Sequence, residues 1–536
     1  METFKGSITF LNSKLMHKGS SRDCGFSYTN PIRSSIIVTF FQVITTLAGL
    51  GNQLVIAYLF GTKPDMDAYT AAISIPGIIS GIGISAFSLS LIPFLVKNVA
   101  DQNRFMQITG KCLFFTIFIA AIISILGIIS SNTVLNTIAK GLPKSSLDLA
   151  IKISEILWVV VSISLLNSYL IAVYHSLKLF LIPSLITPLP ALLIIASAWW
   201  ISSSLGITSI AIGWFLGVAI QAVILFLGLK SHITYNLTFL INFKDIEVYK
   251  PFKDMLPAIL ALLPFIILQP IEVFWASTFP SGSISYLGYC QKLVVSLGSI
   301  LIYGISLVSF PYMAKEYADR KFLNARTILA NALRLGLLFT APVTCLIPII
   351  MHEKLWTGFK WGAFDEQSVR GVTSVLPFYL LGMIPMALMN IVIRGYAANR
   401  NFKMPGLIGT LSIILYFSLT GFFSLFFSFI GIGIAYLVYW LLIFIISVLL
   451  LDRKLLDINF LRFTSKLAVC LIMAVITMLI VFPWANNLSG SVIGSLFTLL
   501  LGVLISLIIS YKVLKINEIF IILNKTLKEL KIISPN

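Results

Sequence analysis

Charged side chains are scarce in this sequence: Asp, Glu, Lys and Arg make up 11% of its 536 residues, against roughly 25% in an ordinary soluble chain. A soluble globular protein of this length is thereby excluded. Acidic residues are the fewest, 20 Asp and Glu against 38 Lys and Arg, and from Val372 to Leu451 there is none. The five cysteines (Cys24, Cys112, Cys290, Cys345, Cys470) form no CxxC pair, and His17, His175, His232 and His352 show no ligand spacing. Neither a disulfide framework nor a metal site is indicated. A GxxxxGK(S/T) loop is also missing, so no ATP site is encoded and no cofactor is expected. Residues 1–33 contain Lys5, Lys14, Lys18, Arg22 and Arg33 but no apolar core. They read as a cytoplasmic extension, not a signal peptide.

What the chain has instead is hydrocarbon. It is 58% hydrophobic with a mean hydropathy of +0.98, and apolar runs near twenty residues recur from Ser35 to Tyr511. Each is long enough to cross a core ~30 Å thick. The runs predict about fourteen spans: 35–59, 68–96, 112–130, 149–173, 179–202, 206–229, 254–278, 285–312, 327–350, 372–396, 404–427, 430–451, 467–484 and 490–511. The expected fold class is therefore an all-α polytopic membrane protein.

The net charge of +18 does not point to nucleic acid, because the Lys and Arg residues lie almost entirely in the short links between spans. With a cytoplasmic N-terminus, the cytoplasmic links carry 28 Lys and Arg and the external links six. That asymmetry is the positive-inside pattern and predicts that both termini are cytoplasmic in a bacterial inner membrane. Beyond the last span, residues 512–536 carry Ile516, Ile519, Phe520, Leu523, Leu527 and Leu530 at helical spacing, with Lys515, Lys525, Lys528 and Lys531 around them. This pattern fits an amphipathic helix on the anionic inner surface, or a solvated tail.

Two stretches recur in order. Pro93-Phe94, Lys97, Ala100-Asp101 and Phe105 match Pro311-Tyr312, Lys315, Ala318-Asp319 and Phe322, while Tyr174, Lys178, Phe180 and Pro183 match Tyr396, Arg400, Phe402 and Pro405. Both offsets span six helices, an even number, so the repeats share one orientation and are related by an axis along the membrane normal. The expected division is residues 34–230 as an N-lobe of six spans and 250–451 as a C-lobe of six. A pair of spans (465–511) and the tail (512–536) follow. A central cavity between the lobes is the natural place for a substrate.

Phe60-Gly61, Asp67-Ala68-Tyr69 and Pro76, leading to Pro93, resemble the MurJ/MviN lipid II flippases. So do Leu256-Pro257-Ala258-Ile259, Ser281 to Tyr286, and Arg394-Gly395-Tyr396-Ala397 closing at Pro405. The resemblance implies the fold of the multidrug/oligosaccharidyl-lipid/polysaccharide exporter superfamily. It also implies a transporter, not an enzyme, that flips a polyprenyl-diphosphate-linked glycan: lipid II, or an exopolysaccharide or O-antigen repeat unit. The family's cavity arginines of spans one and two fall on Thr46, Asn52 and Ser80, none of them charged; that of span eight falls on Lys292. Two other classes stay in view. An ion-coupled drug or cation exporter would need carboxylates within a lobe, and a glycan-assembly enzyme would need acids or histidines on an external loop.

The candidate cavity residues are thus Lys292, Glu272, Asn52, Thr46 and Ser80. An intramembrane lysine is a functional candidate by default, and Glu272, ten residues from the turn at Gly282 on the opposite side, is expected to pair with it. Asp67 either caps the first turn of its own helix or gates the outer mouth. Arg394, Arg400 and Lys178 form the basic inner ends of spans ten and four, serving topology and anionic lipid or meeting an entering diphosphate. The expected partners are the lipid-linked glycan and the bilayer, with no nucleic acid, and the chain is expected to act as a monomer.

Overall fold

The structure is a computed structural model that describes residues 31–99, 101–230, 246–341, 362–399 and 403–451. The expectations for residues 1–30, for Arg400, for the last two spans and for the C-terminal tail lie outside those residues. The described residues form fifteen helices: α1 (Pro31–Phe60), α2 (Pro64–Ile73), α3 (Pro76–Val96), α4 (Gln102–Ile138), α5 (Lys144–Ser176), α6 (Leu181–Ile186), α7 (Leu189–Leu205) and α8 (Thr208–Leu229), then α9 (Ile246–Ile266), α10 (Leu268–Ala276), α11 (Ser283–Ala318), α12 (Phe322–Thr340), α13 (Glu366–Ala398), α14 (Lys403–Phe427) and α15 (Ile430–Leu451). Among the described residues, nine helical segments are long and apolar enough to cross a membrane. Hydrocarbon leaves no water to bond a backbone amide, so helices that satisfy their own N–H and C=O groups are the economical solution.

Three expected spans are broken. The second divides into α2 and α3 before Pro76, the fifth into α6 and α7 around Pro188, and the seventh into α9 and α10 at Ile267, between Pro264 and Pro270. Proline lacks the amide donor that would continue the ladder and clashes with the preceding turn, so each break falls where the sequence supplies one. Spans three and four run longer than expected. α4 has 37 residues and α5 has 33, about 55 and 50 Å at the helical rise, so both project beyond the hydrocarbon. Asp101 starts α4 by accepting from the Arg104 amide at 3.1 Å, as an N-cap carboxylate does. The tight turn around Phe429 is present: Ser428 takes φ +55° between α14 and α15.

Within the N-terminal set, α1 packs on α7, α2 and α3 on α5, α4 on α5, and α5 and α7 on α8. Within the C-terminal set, α9 packs on α14, α11 on α13, α12 on α13, and α13 and α14 on α15. A core around Leu91, Cys112, Tyr169, Tyr174 and Leu225 holds the first set and takes in Met255 of α9. Tyr379, Tyr416, Tyr436, Tyr439 and Trp440 form the heart of the second. Contacts between the sets run through α3 against α9 and through α1 and α2 against α11.

Candidate functional site

The two sets meet toward the basic end, where the Ser90 hydroxyl donates to the Pro251 carbonyl and Phe252 packs on Phe87 and Phe115, and again at the end poor in Lys and Arg. Asp67 in α2 is 2% exposed, and its carboxylate reaches across to the start of α11. Oδ2 accepts from the Gly282 amide at 2.6 Å, and Oδ1 accepts from the Ser285 amide at 2.8 Å and the Ser285 hydroxyl at 2.5 Å. Gly282 is the N-cap of α11 with φ +95° and has no side chain to cap with. A carboxylate from another helix therefore supplies the acceptors that free N-terminal amides require. Asp67 does not cap its own helix, as one expectation had it. α2 begins with Pro64, so its first turn has one amide fewer to satisfy.

Two further contacts close the same end. In the first, the Thr62 and Ser368 hydroxyls are 2.6 Å apart, the Ala363 amide donates to the Tyr58 carbonyl at 2.7 Å, and the Tyr289 hydroxyl donates to the Gly61 carbonyl at 2.8 Å. Ser368 is itself held by Asp365, which accepts from its amide at 2.8 Å and its hydroxyl at 2.7 Å. Those two bonds hold the Asp365 carboxyl below the usual carboxylate range. In the second contact, the Gly141 amide donates to the Ser277 hydroxyl at 3.4 Å, and Lys140 Nζ stands 5.1 Å above the Phe274 ring. Backbone approaches backbone here. A Cβ on Gly61 would lie 2.1 Å from the Ala363 carbonyl oxygen, and one on Gly141 would lie 1.8 Å from that of Ser277.

Beyond this closure, Lys292 of α11 places Nζ 5.6 Å from the Tyr69 ring centroid, a cation–π contact across the two sets. The expected Glu272–Lys292 ion pair is not formed. Glu272 is buried within the C-terminal set, where its Oε1 accepts from the Tyr416 hydroxyl at 2.7 Å. The reason is register. Six residues, 277–282, form the link, and α10 ends at Ala276 while α11 starts at Ser283. Glu272 thus lies about 6 Å into its helix and Lys292 about 14 Å into its own, and the two point to different neighbours.

Asn52 is buried with its Oδ1 unpartnered, and the Thr46 hydroxyl donates to the Gln42 carbonyl at 2.9 Å. Ser80 is not brought to the same place. It shares a row of α3 with Gly83, which abuts Leu165 and Ser168, and with Phe87, which packs on Tyr169; that row faces α5. Lys178 occupies a left-handed turn after α5, with φ +61°, and Arg394 lies in the last turns of α13. Both sit at the opposite, basic end, so the candidate residues divide between two ends and a middle. Sequence reasoning marked the turn at Gly282 and the stretch Ser281 to Tyr286 without their bond to Asp67, and it missed Tyr289, Ser368, Gly141 and Gln53. Of these, only Gln53 had an available signal, its helical spacing from Gln42, Thr46 and Asn52.

Two packed sets of membrane helices that touch at the Asp67 closure and again through α3 and α9 define a polytopic membrane-protein fold. Solved structures agree. The likeness to "Lipid II flippase MurJ, inward closed conformation" has a TM-score of 0.74 at 21% identity, covering 90% of this chain and 100% of that one. A multidrug resistance MATE family transporter of the MOP superfamily, in an inward-facing conformation, gives 0.68 at 12% identity, covering 79% of this chain and 98% of that one. The family model of the lipid II flippase MurJ matches residues 56–511, and the chain belongs to that family. A lipid II flippase of Burkholderia cenocepacia is 23% identical over 386 residues, 70% of this chain and 75% of that protein. A probable lipid II flippase of Buchnera aphidicola subsp. Schizaphis graminum is 25% identical over 429 residues, 77% of this chain and 83% of that one. The family consists of inner-membrane multi-pass transporters and not of enzymes.

Proposed function

We propose that this protein carries a polyprenyl-diphosphate-linked glycan, lipid II being the first candidate, from the cytoplasmic to the outer leaflet by alternating access. The observation that carries the reading is the closure around Asp67. It joins the two helix sets through hydrogen bonds and close backbone contacts, beside a buried apolar cluster that draws on both sets. The positive-inside count supports placing this closed end outside and both termini in the cytoplasm. Asp67 is then the outer gate, and Arg394 and Lys178 stand where a head group enters.

The six-span repeat is part of the same reading. Tyr174 donates to the Leu225 carbonyl at 3.0 Å and Tyr396 to the Ser447 carbonyl at 2.7 Å, each across 51 residues. The main helix pairings of the first set recur in the second, with α11 lying closer to α12 than α3 does to α4. A parallel pair of lobes plus a C-terminal pair of spans, fourteen in all, accounts for these likenesses. The dispersal of Lys and Arg into the links supports a bilayer rather than a nucleic acid as the partner.

The test is transport of lipid II into the inner leaflet of reconstituted vesicles, read by enzymatic modification of accessible head groups. Movement that depends on the protein and falls in Asp67→Ala supports the reading. A protein that binds lipid II no better than phospholipid would end it.

A further inference from the structure

α1 is a membrane span with two unlike faces. Phe40, Val43, Leu47, Leu54 and Tyr58 are exposed and apolar, and at about 100° per residue they fall on one side. Gln42, Thr45, Thr46, Gly49, Asn52 and Gln53 fall on the opposite side, turned away from lipid. α1 packs on α7 of its own set and on α11 of the other, and its polar row lies opposite the exposed apolar one. Gln42, Thr45, Thr46 and Gln53 are only half-buried there, and a Cβ on Gly49 would meet nothing within 4 Å. The amide oxygens of Asn52 and Gln53 have no hydrogen-bond partner.

α11 supplies the matching wall. Ser285 and Tyr289 make the closure with Asp67 and Gly61. The same row continues away from the closed end through Lys292, Ser296 and Ser299, all at helical spacing. Two polar rows thus run from the Asp67 closure along α1 and α11, and together they hold one charge, Lys292. A polar row on a membrane helix is tolerated where it meets water or a polar ligand.

These rows do not suit a diphosphate as the chief recognition element. That group is gripped by several guanidinium forks, whereas a single ammonium is one point charge. Carboxamides offer a donor and an acceptor each and match hydroxyl and acetamido groups. We propose that the Gln42–Gln53 row of α1 is a glycan-reading strip, that Lys292 meets a single phosphate, and that the protein selects its lipid by the sugar, accepting monophosphate and diphosphate linkages alike. The inference rests on the flippase reading and names the part of the substrate that decides specificity.

Three probes test it with the full chain in nanodiscs: a polyprenyl lipid bearing one N-acetylated disaccharide through a diphosphate, the same lipid with a monophosphate, and polyprenyl diphosphate without sugar. The two glycolipids are expected to bind within about threefold of each other, and the bare diphosphate about a hundredfold more weakly, as when a hydrogen-bonding site loses its ligand groups. Asn52→Ala with Gln53→Ala is expected to weaken both glycolipids about tenfold or more, and to leave the bare diphosphate unchanged. Asn52→Arg, a gain that does not depend on a lost contact, is expected to make the diphosphate form preferred by about tenfold. A wild-type protein that prefers the diphosphate glycolipid more than about thirtyfold, or that binds the bare diphosphate as well as the glycolipids, overturns the inference and leaves the flippase reading standing. Failure of all three probes to bind overturns both.

Discussion

Asp67 and Ser285 lie 218 residues apart in the chain and share two hydrogen bonds, from the Ser285 amide at 2.8 Å and from its hydroxyl at 2.5 Å. A residue near the start of one helix set thereby completes the N-terminus of a helix in the other. Hydrogen bonds to a charged acceptor contribute about 1.5–3 kcal/mol each when buried, so the contact is strong enough to bias a conformational equilibrium and weak enough to open.

Asp67→Asn and Asp67→Ala are expected to destabilise the closed end, the alanine more. Cysteines placed at Thr62 and Ser368, whose hydroxyls now touch, provide the readout. Disulfide formation between them should fall several-fold in the Asp67→Ala background. Unchanged cross-linking would remove Asp67 from the gate.

The glycines at the closure make a steric prediction. Gly61 has φ +59°, a region that side chains rarely adopt, and faces the Ala363 carbonyl at the distance given above. Gly61→Ala is expected to slow transport by about tenfold or more while lowering thermal stability by only about 1–2 kcal/mol. The clash falls at the turn between α1 and α2, where the two sets touch. A loss of stability large enough to abolish the folded protein would show that this turn serves the fold in every state.

A pH dependence follows from Asp365. Its folded-state carboxyl is held below its ordinary value of 3.8 by the Ser368 amide and hydroxyl. A depressed value means that its stabilisation is complete above that ordinary value and disappears as pH falls through the lower, folded one. The melting-temperature difference between wild type and Asp365→Ala should therefore be constant from about pH 5 to pH 8 and shrink below about pH 4. A difference that shrank between pH 6 and pH 8 instead would assign the effect to another group.

Glu272 and Lys292 are expected to act independently. Glu272→Gln preserves an acceptor for Tyr416 and should cost little, whereas Glu272→Leu strands the Tyr416 hydroxyl and should cost about 1–3 kcal/mol. Combined with Lys292→Met, either change should be additive to within about 0.5 kcal/mol in a double-mutant cycle on stability. Coupling well above that would restore the ion pair.

The spans themselves were legible in the sequence because hydrocarbon imposes a length and a polarity on each segment independently of its neighbours. The breaks at Pro76, Pro188 and Pro264 were legible in principle too, since proline acts on its own turn. The polar row of α1 could be read from periodicity alone. What Asp67 caps, which neighbour Lys292 faces and which tyrosine holds Glu272 depend instead on how two sets of helices lie against each other. The hairpin from Glu272 to Lys292 shows why: symmetric counting about Gly282 put the two at one depth. The link took its residues mainly from one side, and rotation about the helix axes sent one side chain into the C-terminal core and the other toward Tyr69. Local patterns determined the helices and their polar faces. Only the tertiary structure decided which faces meet, because rotation and depth of each helix are set by packing against partners far away in the chain.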